Sequence, residues 1–192
     1  MGRPKKFDPD VAVDKAMHTF WVGGYAETSP QELADRLDIG KGSLYHTFGS
    51  KHELFVRSLE HYAGISAEEL TAVMDEPTPI RVRVRKLLTS FVEIDLNDPD
   101  RCGCFVVNTT VELGVRDDEV ARIVRRSVRR TEEVLVGAFV AAQRAGEIAA
   151  NQDPRALAKL VQSSMIGLRI LARTAGDRDE LQPVVEAAVQ AI

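Results

Sequence analysis

The stretch TSPQELADRLDIGKGSLYHTFGSK, residues 28–51, decides the fold. Thr28 or Ser29 is a helix cap, and Pro30 suits a first turn, where its missing N–H costs nothing. Leu33, Ala34 and Leu37 then lie on one inward face. Asp38-Ile39-Gly40 breaks this helix early, because Asp tolerates a left-handed backbone; Ile39 is expected to turn inward. A second short helix follows over about 41–48, with Leu44 and Phe48 inward, until Gly49-Ser50 ends it and caps the next. Two short helices joined by a three-residue turn make a helix-turn-helix. The second helix is narrow enough for the major groove of DNA, and Lys41, Gly42, Ser43, Tyr45, His46 and Thr47 face outward from it. These side chains are small or hydrogen-bonding, as base edges and phosphates require. Lys51 brings a charge and a helix N-terminus to a phosphate; Thr28 and Ser29 do the same for the preceding helix.

Upstream, Asp8-Pro9 starts a helix whose apolar face is Val13, Ala16, Met17, Phe20 and Trp21, and Gly23-Gly24 stops it. Before it, Arg3, Lys5 and Lys6 form a basic arm with no acid, of the kind that follows a minor groove. Downstream the helical period continues: about 51–75, 80–96, 104–113, 117–145, 154–176 and 179 to the last residue. The expected architecture is all-α, about nine helices, with a DNA-binding head over 1–50 and a helical ligand-binding and dimerisation domain over 51–192.

Composition is silent about DNA. The formal charge is −4, and residues 1–51 carry seven basic and seven acidic side chains. With 44% hydrophobic and 28% charged residues the chain has the profile of a soluble globular protein. No apolar run is long enough for a membrane span, and no apolar leader is visible, so a cytoplasmic location is expected. An enzyme finds no support. The four histidines lack metal spacing, and Gly40-Lys41-Gly42-Ser43 is not a phosphate-binding loop because Ser does not follow Lys directly. No metal and no cofactor are expected.

Gly24-Tyr25-Ala26-Glu27-Thr28-Ser29, Leu33-Ala34 and the run from Gly42 to Leu54, with Tyr45, Phe48, Lys51 and Leu54 at regular spacing, resemble the TetR/AcrR family of bacterial regulators. The match covers about residues 8–55. It departs from the family's pattern at Asp38, where the turn usually has Gly, and at Gly40, where Ser or Thr usually starts the recognition helix. The resemblance implies a dimer with an inducer pocket in its C-terminal domain, in which ligand separates the two heads and releases DNA. The expected function is therefore a repressor, freed from a palindromic operator by a small-molecule inducer or by thiol modification.

For the pocket, Phe91, Ile94, Phe105, Asn108, Glu112, Phe139, Met165 and Leu168 are candidates, each equally able to be core. Cys102 and Cys104 are too close to staple a loop and are either inert thiols or a redox or electrophile switch, since a helix N-terminus lowers a thiol pKa. The segment from Gly103 to Asn108 with Glu112 resembles a branch of the family in which some members sense electrophiles. The run Arg122, Arg125, Arg126, Arg129, Arg130 is read as a solvated helix face. Two stripes, Leu157, Leu160, Val161, Ser164, Met165, Leu168, Leu171 and Leu181, Val184, Val185, Ala188, Val189, Ile192, either close the protomer's core or form a homodimer interface through the last two helices, as the resemblance favours. Two-fold symmetry then predicts a near-palindromic operator.

Overall fold

Asp8 accepts the N–H of Asp10 at 2.9 Å and caps the first helix of the computed structural model, which describes residues 7–192. Among these residues there are nine helices and no strand: α1 (Pro9–Gly23), α2 (Pro30–Leu37), α3 (Lys41–Phe48), α4 (Lys51–Met74), α5 (Ile80–Asn97), α6 (Phe105–Leu113), α7 (Asp118–Arg144), α8 (Pro154–Leu171) and α9 (Gln182–Gln190). The chain divides into two compact units, one of residues up to Ile65 plus Phe105–Val124, the other of Ser66–Cys104 plus Arg125–Ile192. These contact units are not the division at residue 50 expected from the sequence: α6 and the start of α7 fall in the unit that holds α1–α3, and α4 and α7 each contribute to both units.

In the first unit α1 packs on α2, and α2 on α3. Phe20, Leu33, Leu44, Phe48, Leu54, Phe55 and Leu59 are fully buried. Phe20 meets Phe55 edge-on at 5.1 Å, and Phe105 of α6 sits 5.7 Å from both Phe55 and Tyr62, so α6 is fastened by aromatic packing. Gly24 ends α1 at φ 76, which suits glycine, and Asp38 ends α2 at φ 53, ψ 44. The N–H of half-buried Ile39 returns to the Ala34 carbonyl at 3.0 Å, a bond that closes the helix end.

The second unit is a bundle in which α5, α8 and α9 pack on one another. Ile80, Val84, Leu88, Leu135, Phe139, Val161, Leu168 and Val185 form its centre. Arg169 of α8 is buried against Asp95 of α5 in a two-pronged pair, both contacts at 2.9 Å, and also donates to the Gly103 carbonyl at 2.6 Å. Two boundaries differ from the sequence expectation. Helix α8 stops at Leu171, before Gly176, because Arg101 takes the carbonyls of Ala172 (2.7 Å) and Ala175 (3.0 Å) outside a helix. Helix α9 starts at Gln182, after Asp179, because Asp177 accepts the N–H groups of Asp179 and Glu180 and holds a turn there.

Candidate nucleic-acid interface

Helix α3 is anchored by two side chains and exposes most of the rest. Leu44 and Phe48 are buried; Lys41, Gly42, Ser43, Tyr45 and His46 are exposed, and Thr47 is half-buried. Tyr45 is 42% exposed beside the buried Leu44, so its hydroxyl can meet a phosphate. No Cβ would crowd Gly42, where nothing lies within 4 Å, so another surface can approach its backbone. Ser29 is exposed and caps α2 by accepting the Glu32 N–H at 3.1 Å. Ser50 does the same for Glu53 at the start of α4, at 3.0 Å. The two helices of the motif thus start and stop on local signals, with the reading face left open.

Two residues expected at DNA have other partners. Thr28 is 1% exposed, and its hydroxyl donates to the Gly24 carbonyl at 2.6 Å. Lys51 donates from Nζ to the carbonyls of Tyr25 (2.7 Å) and Thr28 (2.9 Å), with its ammonium 4.3 Å from the Tyr25 ring centre. Both side chains therefore hold the turn before α2; the Thr28 hydroxyl is spent there, while half-buried Lys51 uses two of its three ammonium donors. Their place at helix starts suggests phosphate contact; a local bond to Gly24 engages Thr28, and bonds 23 and 26 residues away engage Lys51. Arg3, Lys5 and Lys6 lie outside the described residues.

The expected ligand-lining residues are divided. Phe105, Asn108 and Glu112 belong to the first unit, and Phe91, Phe139, Met165 and Leu168 to the second. Phe105 is buried in the aromatic cluster, and Glu112 accepts the N–H of Tyr25 (3.0 Å) and of Ala26 (2.7 Å). Asn108 is half-buried and already engaged. Phe139 and Leu168 are fully buried, Met165 packs against the same core, and Phe91 lies under the Arg169 guanidinium at 5.0 Å. Ile94 is 56% exposed.

Neither cysteine is in a disulfide. Cys102 is buried, and burial, followed by the Asp98 carboxylate, pushes its thiol up to about 12. It stays a protonated thiol near neutrality, which favours the inert of its two readings. Cys104, half-exposed just before α6, is the accessible one. Asp98, Asp100 and Cys102 bring possible metal-ligand atoms within 4.8 Å of one another, but both Asp98 oxygens already accept N–H groups, of Asp100 and Cys102.

A signal missed in the sequence joins the start of α4 to the start of α7. His52 Nε2 lies 2.7 Å from Asp117 Oδ2, and Asp117 also accepts the N–H groups of Val120 and Glu119, each at 3.0 Å. The Val120 N–H first, then His52, hold the Asp117 carboxyl below the usual carboxylate range. Burial, then the Asp117 and Glu112 carboxylates, raise the Tyr25 phenol, which stays neutral. Asp117-Asp118 was legible as a helix start, but nothing in the spacing paired it with a histidine 65 residues away.

An exposed hydrogen-bonding α3 on a trihelical scaffold defines a DNA-binding regulator of the helix-turn-helix class. The profile described as bacterial regulatory proteins, tetR family, matches residues 12–57, and that described as tetracyclin repressor-like, C-terminal domain, matches residues 81–188. The chain belongs to the TetR family of bacterial transcriptional regulators. It is 29% identical to the uncharacterized HTH-type transcriptional regulator YezE of Bacillus subtilis over 100% of both chains. It is 27% identical to the HTH-type transcriptional repressor ComR of Escherichia coli over 95% of this chain and 88% of ComR. Among solved structures, a cysteine-substituted form of the TetR family regulator CifR, complexed with 26-bp double-strand operator DNA, superposes with TM-score 0.85 at 31% identity over 99% of each chain. No described helix is long and apolar enough to cross a membrane.

Proposed function

We propose that the protein is a cytoplasmic homodimeric repressor that places α3 of each protomer in successive major grooves of a near-palindromic operator. The observation that carries this reading is the open face of α3: Lys41, Gly42, Ser43, Tyr45, His46 and Thr47 above the buried anchors Leu44 and Phe48. Tyr45 and Lys41 take phosphates, His46 and Ser43 face base edges, and Ser29 with the α2 N-terminus adds a phosphate contact. The arm residues Arg3, Lys5 and Lys6 follow the adjacent minor groove. CifR is described bound to operator DNA and ComR as a repressor, which supports the same role here.

Dimerisation uses the outer face of α8. Ala156, Leu160, Ser163, Gly167 and Ile170 recur at helical spacing on the side away from buried Leu157, Val161 and Leu168. A Cβ on Gly167 would meet nothing within 4 Å, so a partner helix can approach closely there. On α9, buried Leu181, Val185, Ala188 and Val189 close the protomer's own core, leaving Pro183, Ala187 and Ala191 for the partner. An inducer binds within the second unit beside the partly buried Phe91 and Met165, or an electrophile reacts at Cys104; either shifts the dimer to a form that holds operator less well. The chain itself carries out no catalysis.

Operator affinity measured across salt tests the reading. The wild type binds its own upstream DNA steeply salt-dependently. Lys41→Ala flattens the log–log slope by about 0.9, one phosphate contact. Slopes that do not differ, or binding that ignores salt, would remove α3 from the interface.

A further inference from the structure

The turn between α1 and α2 is held from two sides by opposite charges. Glu112 of α6 accepts the N–H groups of Tyr25 and Ala26, at 3.0 and 2.7 Å. Lys51 of α4 donates to the carbonyls of Tyr25 and Thr28, at 2.7 and 2.9 Å. One residue, Tyr25, therefore has its N–H on an acid and its carbonyl on a base, each supplied by a different helix. Gly24 makes room for this: at φ 76 it leaves only 3.2 Å between a would-be Cβ and Glu112 Oε2. The Thr28 hydroxyl closes the turn on the Gly24 carbonyl, and Ser29 at once caps α2.

This arrangement does more than satisfy the turn. Ala26 is exposed and Tyr25 half-buried, so water can serve their N–H groups without any carboxylate. A charged acceptor on two amides adds directional rigidity. Its effect falls on the segment that sets where α2, and through the next turn α3, begins. The second anchor, His52 on Asp117, ties the neighbouring residue of α4 to the corner after α6.

We propose that Glu112 and Lys51 form a clasp that holds the α1–α2 turn in the arrangement operator binding requires. Glu112 is a positioning residue that does not touch DNA, and the clasp rests on the reading that α3 contacts the operator. Electrostatics and clasp predict opposite signs for its removal. Neutralising Glu112 makes the chain less negative, which by long-range attraction alone raises affinity for DNA. Loss of the clasp lowers affinity, because the free head spends less time in the binding arrangement.

The experiment compares the wild-type dimer with Glu112→Gln and Glu112→Ala. It measures anisotropy with DNA from upstream of the protein's own coding sequence, thermal unfolding, and amide exchange at Tyr25 and Ala26. The clasp predicts that Glu112→Ala weakens operator binding about tenfold, the scale of one lost charge-assisted bond, with Glu112→Gln between it and wild type. It also predicts faster exchange at both amides in the free, folded variants. Unchanged or tighter operator binding in folded Glu112→Ala, with wild type binding normally, overturns it. If wild type itself fails to bind, the operator reading is at fault and the clasp's role in binding falls with it, whatever exchange shows at Tyr25 and Ala26.

Discussion

Helices α3 and α8 are both fastened by an inward stripe, and they differ in what they leave outside. Eight-residue α3 buries Leu44 and Phe48 and exposes Lys41, Ser43, Tyr45 and His46. Eighteen-residue α8 buries Leu157, Ala158, Val161 and Leu168 and exposes Leu160, Ile166, Ile170 and Leu171. One outer face suits phosphates and base edges; the other suits an apolar surface of like shape. The inward stripe of a helix says that it is folded, and the outward face says what it is for.

The largest effect is expected on the inward side of α8. Arg169→Ala leaves Asp95, 2% exposed, without its cation. Breaking a buried pair from one side costs about 3–5 kcal/mol, so chemical denaturation of the variant should show a midpoint well below wild type. An unchanged midpoint would mean that Asp95 finds water or another donor.

Next comes the outer face of the same helix. Leu160→Arg should cost the protomer little but split the dimer. Sedimentation would then show a monomer, and operator affinity would fall by about 100-fold as two linked heads become one. A dimer that persists with full affinity would move the interface off α8.

The smallest effect lies in the head. Asp117→Ala removes the cap of α7 and the partner of His52, for about 1 kcal/mol at neutral pH. The sign with pH is defined. The Asp117 pKa is lowered on folding, so its contribution is complete above the unfolded carboxylate value and is lost as pH falls through the lowered folded value. Wild-type and variant stabilities should begin to converge as pH falls below about 4 and go on converging through the lowered folded value. A gap that stays constant into acid would take the charge out of the account.

Much of the head was legible because its cues are local. Asp8-Pro9, Ser29-Pro30, Asp38, Gly49 and Ser50 each start or stop a helix through contacts within a few residues. Inward and outward residues of α2 and α3 then follow from period alone. The errors fell where the deciding contact is distant in sequence. Helical spacing sets Glu112 beside Asn108 as a candidate pocket wall, yet its carboxylate closes on backbone 86 and 87 residues away. Lys51 has the chemistry for phosphate, and its ammonium also reaches the carbonyls of Tyr25 and Thr28, 26 and 23 residues away. On α8 and α9 the period found the apolar stripes but could not say which side meets the protomer's own core. Cys102 and Cys104 are equivalent in sequence, and burial separates them.

The most direct test of the central claim, that α3 of each protomer reads DNA, is a hydroxyl-radical footprint on the upstream DNA with wild type and Tyr45→Ala. The account predicts two protected patches related by a dyad, their centres about 10 bp or a multiple of that apart, and both lost in the variant at the same protein concentration. One undivided protected patch, or protection that survives Tyr45→Ala unaltered, would contradict it.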